Sequence, residues 1–336
     1  MSAVPLTPTP LRISTMTTIG GLGATPDLQR LFDSAPLIPY WWIGEGLLKI
    51  EFAGQRKGLC ADDILHVCMK TKKRFFNQSS VVFRLDLSTV PVPPGITPHP
   101  DRWKEVNIKL FKNGGFQMTG VSSEPMARAA LTRLVATIAA TIGVAAVWPE
   151  APASAPPTIT KFETCLINSD YGLPKAIRRD RLYQILVGEY GLWSTYEPTI
   201  YQGVNTKYFW NATRPADSPP GICVCPTPCD GDGDGMSVGA CKKITIAPFR
   251  TGKIIITGAR QLCQLEEAYR FMNALFTKHA DQVLRDHVEE PAPTSKKTTA
   301  PVPLPPDTAP AILRQKMRAS PRGIVHLVAG HLPGQC

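Results

Sequence analysis

The sequence predicts an α+β protein made of two pseudo-symmetric repeats, each a set of antiparallel strands closed by a long helix. Three observations carry this expectation. The stretch FKNGGFQMTG (111–120) is echoed by FRTGKIIITG (249–258), with a Phe, a Gly and a closing Thr-Gly at matching places. Each stretch puts glycine between two alternating runs, which is hairpin chemistry. Each is followed by a long segment with helical apolar spacing, 124–143 and then 261–285.

The remaining elements follow in parallel order. A short strand opens each half, 11–17 and 159–167, and a helix follows, 25–33 (with Thr25 as its cap) and 177–189. Strands are expected at 46–54, 78–87 and 105–120 in the first half. Their counterparts are 198–203, 205–210 and 242–258. The domains read as a disordered N-terminus (1–9), repeat 1 (10–148), a Pro/Ala linker (149–157), repeat 2 (158–286) and a basic, Pro-rich disordered tail (287–336). The stretch 211–241 lacks apolar period and interrupts repeat 2. It reads as a flexible loop insertion whose removal leaves the fold intact.

A formal charge of +10 and a pI near 9.2 point to an acidic partner, nucleic acid being the commonest. Roughly half of that excess lies beyond Pro291, and the rest belongs to the folded part. Nine scattered cysteines with no secretory leader before them suggest a reducing, intracellular setting. The apolar stretch 134–148 is too short to span a bilayer comfortably, and its helical spacing fits a core-facing helix, so no membrane is expected.

Taken with the spacing around them, these residues resemble the TATA-box-binding protein family, and more closely its divergent members in large DNA viruses of eukaryotes. The second hairpin carries Phe249, Gly252, Lys253, Thr257, Gly258, Ala259 and Arg260 where the family has Phe-x-x-Gly-Lys-x-x-x-Thr-Gly-Ala-Lys. STYEPTIYQG (194–203) is similar to the family's stirrup, ISTM (13–16) to its first strand, and FFNQ (75–78) with QMTG (117–120) to the viral branch. The resemblance covers about residues 10–286. It implies a saddle: one curved antiparallel sheet with helices on the convex side and a helix-free face that binds DNA in the minor groove. Apolar wedges then kink the duplex, as TATA-box-binding protein itself does.

Carried over residue by residue, the resemblance makes Phe111, Phe249 and Tyr201 wedges. The fourth wedge falls on Phe75 and Phe76 or, by gapless alignment, on Gln78; the Phe pair is preferred because a wedge needs an apolar plate. The base-contacting set comprises Thr119, Thr257, Gln117, Lys109 and Ile255, with Ala247 also facing the groove. The family's central asparagines match Leu11 and Leu166, and Asn168 can replace the latter only by a slip in register, which would swap faces. Gln117 can accept from a guanine amino group, so the element read need not be a standard TATA box. Phosphate contacts map to Arg84, Lys207, Lys253, Arg260, Lys112 and Arg250. KTKKR (70–74) reads equally as a further phosphate contact, a nuclear-import signal or an ordinary exposed basic loop. Glu197 maps to the contact with a factor-IIB-like partner.

The implied protein is a promoter-bending initiation factor, monomeric on duplex DNA, working with a factor-IIB-like protein and RNA polymerase in a host nucleus or a cytoplasmic viral factory. The alternative is a scaffold of the same fold that has lost DNA binding and uses the insertion and YWW (40–42). No phosphate-binding loop or nucleophile elbow is present and the six histidines lie apart, so no enzyme is expected. No cofactor is expected either. Cys223, Cys225, Cys229 and Cys241 could hold zinc, but C-x-C-x3-C-x11-C lacks the paired knuckles of common zinc sites. DGDGDG (230–235) begins like a calcium loop and then has Cys241 where a bidentate Glu is needed, so it reads as a flexible acidic turn.

Overall fold

The computed structural model describes residues 6–65, 74–92 and 99–286. The first half runs β1 (Arg12–Gly21), α1 (Leu28–Ser34), β2 (Gly46–Phe52), β3 (Gln55–Gly58), α2 (Ala61–Leu65), β4 (Gln78–Asp86), β5 (Trp103–Phe111), β6 (Gly115–Val121), α3 (Glu124–Ile142) and α4 (Val144–Val147). The second runs β7 (Lys161–Gly172), β8 (Ala176–Ile177), α5 (Arg179–Gly188), β9 (Ser194–Thr195), β10 (Asn205–Trp210), β11 (Lys242–Pro248), β12 (Lys253–Ala259), α6 (Leu262–Lys278), α7 (Ala280–Val283) and β13 (Leu284–Arg285). Most of KTKKR, the tail from residue 287 and residues 1–5 lie outside the described residues.

One open sheet of 11 strands joins the halves in the order β3-β2-β4-β5-β6-β1-β7-β12-β11-β10-β9, every pairing antiparallel. The order is nearly palindromic about the β1–β7 pair, which is the pseudo-twofold that the repeated hairpin foretold. The two hairpins are built alike. Lys109 faces Gln117 and Asn107 faces Thr119 in one, while Ala247 faces Ile255 and Thr245 faces Thr257 in the other. Gly114 and Gly252 close the turns at φ 81 and 84, donating to the carbonyls of Phe111 and Phe249 at 3.0 Å. Only glycine adopts that left-handed backbone freely.

Alternation divides each strand between two faces. Val81, Phe83, Leu85, Val106, Ile108, Leu110, Phe116 and Met118 turn to the helix side and are buried, as are Ile244, Ile246, Ile254 and Ile256. α3 covers this side with Met126, Leu131, Leu134, Val135 and Ile138, and α6 with Leu265, Met272, Leu275 and Phe276. Ser123 caps α3, its hydroxyl accepting from the Met126 N–H at 3.3 Å, and Gln261 forms a capping box with Gln264 at the equivalent start of α6. Among the described residues no helix is long and apolar enough to cross a membrane.

Several expectations are corrected. Asp27, not Thr25, caps α1 by accepting from the Arg30 N–H at 2.8 Å; Thr25 donates to Glu150 instead. Residues 198–203 form a turn rather than a strand, because the Ile200 and Tyr201 N–H groups both bond back to the Glu197 carbonyl. Thr9, assigned to a disordered N-terminus, is tied down: it exchanges two bonds with Gly172 at 2.8 Å, and its carbonyl accepts from Tyr269.

The insertion is also better anchored than its composition suggests. Its Gly221 carbonyl accepts from the Phe209 N–H and its Asp234 carbonyl from Gln264 of α6. Arg214 joins Glu267 at 3.1 Å, and that same carboxylate accepts from Tyr208 and Trp210 at 2.8 Å. The segment 211–241 therefore seals the end of β10–β11 against α6. That explains why the large rings of Tyr208 and Trp210 are buried at a sheet margin.

Candidate nucleic-acid interface

The face turned away from the helices carries the sequence-derived site. At one end β5 finishes at Phe111, opposite Gln78 in register, and the Lys112 N–H bonds to the Asn77 carbonyl. Phe75 and Phe76, 49% and 67% exposed, stand just before β4. At the other end Phe249 and Tyr201 pack edge to face, ring centroids 5.7 Å apart, with Tyr201 42% exposed. Gly203 permits this contact: a Cβ there would lie 2.9 Å from the Tyr201 ring and 3.2 Å from Phe249.

Register relates the aromatic residues at the two ends. Extending the β10–β11 pairing sets Gly203 opposite Phe249, as Gln78 is opposite Phe111. Tyr201 lies two residues before the first, and Phe76 two before the second. Phe76 is therefore the counterpart of Tyr201, with Phe75 beside it. Ile200, which the sequence did not single out, is 86% exposed next to Tyr201. Its signal was an apolar residue inside a turn-forming stretch.

The centre of the face differs from the sequence expectation. Leu11 precedes β1 and packs against the main core, so it does not lie on the open face. Leu166 does, opposite Thr17. The residue facing Thr257 across the ladder is Asn168, whose Oδ1 accepts from the Thr257 hydroxyl. Gly21 corresponds to Gly172 through their hairpin partners Gly115 and Lys253, so the position equivalent to Asn168 is Thr17. Bulges interrupt the β1–β7, β1–β6 and β7–β12 pairings. Leu166 and Asn168, two residues apart on β7, lie on the same face, so Asn168 reaches the centre with no exchange of faces.

Thr119, Gln117, Lys109 and Ile255 share this face, with Thr119 exposed; Ala247 is also on it and is buried. Asn107 accepts from Ser80 at 3.3 Å. Asp170 sits on the face as well, its carboxylate held by Arg12 at 2.9 Å and Lys253 at 3.2 Å.

The cations fall into two groups. Lys112, Arg250 and Lys253 are exposed. Lys207 donates to Thr245 at 2.8 Å, and burial together with nearby Lys243 lowers its pKa. Arg260 is half-buried, 4.0 Å from Glu163, with its Nε enclosed and unpartnered. Arg84 is the clear correction. Its side chain is sequestered, donating to the carbonyls of Trp42 at 2.6 Å and Tyr40 at 2.9 Å, lying over the Tyr40 ring and 3.8 Å from Glu105. A guanidinium so engaged is not free for phosphate.

Arg84 is buried because the outer part of the open face in the first half is covered. Ile38 and Tyr40 pack on Leu48, Cys60 and Val82, while Trp41 and Trp42 remain exposed. α2 folds over the same region: the Ala61 N–H donates to Glu105 at 2.9 Å and Asp63 accepts from Lys49 at 2.8 Å. Lys49 also meets Glu51 at 2.8 Å; burial opposes its charge, yet the two carboxylates raise its pKa. Burial works against ionised Asp63 too, but hydrogen bonds from Lys49 and Cys60 hold it below its usual range. Burial pushes the Cys60 thiol up to about 11. The equivalent connection in the second half is the short turn from β9 to β10, where Glu197 is exposed.

No protein-family model matches the chain. It is similar to a TATA-box-binding protein-like protein of Acanthamoeba polyphaga mimivirus, 25% identical over 228 residues, which is 65% of this chain and 53% of that protein. The chain thus spans about half the length of the curated relative it matches. Among solved structures, Methanococcus jannaschii TBP aligns with a TM-score of 0.41 and 14% identity, over 81% of this chain and 99% of that one.

Proposed function

We propose that this protein is an initiation factor of the TATA-box-binding type that binds duplex promoter DNA through the minor groove, bends it and recruits a factor-IIB-like partner at Glu197. The observation that carries the reading is the pair of equivalent aromatic sites at opposite ends of one sheet face, Phe111 with Phe76 and Phe249 with Tyr201. Rings held at a sheet margin, with Phe76 and Tyr201 exposed and Phe111 and Phe249 half-buried beside them, suit insertion between base steps. The cost of unstacking is offset by the extra surface that bent DNA wraps. Between them the face offers short hydroxyl and amide groups, Thr119, Thr257, Asn168 and Gln117, that reach bases in a shallow groove. Exposed Lys112, Arg250 and Lys253 supply cations beside the rings.

The covered outer face and the buried Arg84 favour a second reading, a protein-interaction scaffold of the same architecture. Fluorescence energy transfer across end-labelled duplexes selected from a random pool separates the two. An initiation factor shortens the end-to-end distance. Phe111→Ala and Phe249→Ala each weaken binding and reduce the bend, and Lys253→Ala lowers the salt dependence by about one counterion. A wild-type protein that bends no selected duplex overturns the proposal in favour of the scaffold.

A further inference from the structure

The four cysteines of the insertion, scattered in sequence, converge in space. The Sγ atoms of Cys223, Cys225, Cys229 and Cys241 all lie within 4.8 Å of one another. Cys223 and Cys229 are 3.5 Å apart, as are Cys225 and Cys241, and Cys241 is 3.8 Å from Cys223. Sulfurs about 2.3 Å from a shared zinc at tetrahedral angles stand roughly 3.8 Å apart. A disulfide would need about 2.05 Å, so these are four separate thiols clustered at the spacing of a coordination shell.

Two donors point at the sulfurs. The Gly239 N–H reaches Cys225 at 3.2 Å and the Asn211 amide reaches Cys241 at 3.6 Å. N–H groups aimed at sulfur stabilise thiolate charge and orient the ligand, as the supporting contacts of a metal centre do. The acidic run beside the cluster contributes no sulfur neighbour; Asp232 instead lies 3.6 Å from Lys243 and Asp234 accepts from the Met236 N–H.

We propose that these four cysteines bind one Zn²⁺ as a closed, structural tetrathiolate site. All four positions are filled by protein, so the ion holds the segment together and has no open position for a substrate. The ion would fasten the insertion where it meets β10, β11 and α6: Cys241 directly precedes β11, and Asn211 directly follows β10. That is the end of β10–β11 opposite the Phe249–Tyr201 pair, so the site stands apart from the proposed DNA contacts and does not depend on them.

The test is elemental analysis of the full chain purified under reducing conditions, joined to cobalt substitution. About one zinc per chain is expected. Chelation followed by Co²⁺ should give the visible bands of tetrahedral cobalt and the near-ultraviolet thiolate charge-transfer band. Cys225→Ser and Cys229→Ser should each lose the bound metal, whereas Cys263→Ser, an exposed cysteine outside the cluster, should keep it. Asn211→Ala should weaken retention against a competing chelator by roughly tenfold. If the cysteine variants fold poorly, chelation and cobalt reconstitution of the wild type decide alone. Zinc-free protein that gives no tetrahedral cobalt spectrum overturns the proposal, as do two disulfides found by alkylation and mass spectrometry. Stoichiometric iron in place of zinc overturns the metal assignment.

Discussion

Lys49 and Asp63 illustrate how much one buried pair decides. Both side chains are about nine-tenths hidden, on a face that the other half leaves open. Asp63 also meets Arg56 at 3.3 Å, but that side chain is more than a third exposed, so removing Lys49 takes from Asp63 its buried counter-charge. Lys49→Met is expected to cost about 3 kcal/mol in denaturant unfolding, or to release α2 from the sheet. The pH dependence follows from the lowered pKa of Asp63. Its contribution is complete above its ordinary value of 3.8 and is lost as pH falls through the lower folded value. Hydrogen exchange at Cys60–Leu65 should therefore rise below about pH 4 while the β1–β7 strands stay protected. The central asparagine gives a second test. Asn168→Leu should leave the melting temperature within a few degrees and alter which duplexes are selected, since its amide sits on an open face beside Thr257. An unchanged selected sequence would remove Asn168 from the readout.

At the scale of elements the hairpin turns and the insertion matter most. A Cβ on Gly252 would meet the carbonyls of Lys175 and Leu173 at 2.4 and 2.7 Å, and one on Gly114 would meet that of Ala24 at 2.5 Å. With φ already left-handed, Gly114→Ala and Gly252→Ala should each destabilise by about 2 kcal/mol or more, measured by urea unfolding. The hairpin was legible because glycine has this one use there. The insertion was not. Its polar composition resembles a flexible loop, yet it buries Tyr208 and Trp210 through Gly221, Gly235 and Arg214. Replacing 213–240 by a short Gly/Ser bridge should lower stability by at least about 2 kcal/mol, the order of burying one aromatic ring. Unchanged unfolding would show that the contacts at that margin are dispensable.

On the scale of the whole molecule the two repeats depend on each other. β1 and β7 pair along nearly their full length, so separating the halves exposes a long strand edge in each. Residues 6–157 and 158–286 expressed alone are expected to self-pair through that edge or aggregate, as sedimentation would report. A folded monomeric half would show that the sheet does not need its centre. The asymmetry bears on the proposed function as well. One end of the face is open around Phe249 and Tyr201, while the other carries the 38–44 segment and α2 over its outer strands. Any duplex seated there meets the two ends unequally.

What the sequence determined by itself is whatever repeats or alternates: the two halves, the strand faces, the closing helices and the aromatic residues at both hairpin starts. Those follow from period and turn chemistry, which act over a few residues and are written locally. Tertiary structure alone decided which residues share the centre of the face, because the pairing of β7 with β1 and β12 sets Leu166 opposite Thr17 and Asn168 opposite Thr257, while Leu11 falls outside β1. It alone buried Arg84, through carbonyls more than forty residues away in the chain. It alone brought Cys241 to three cysteines on the far side of an acidic run. Each of these is a contact between distant segments, and no local pattern encodes where a chain will meet itself.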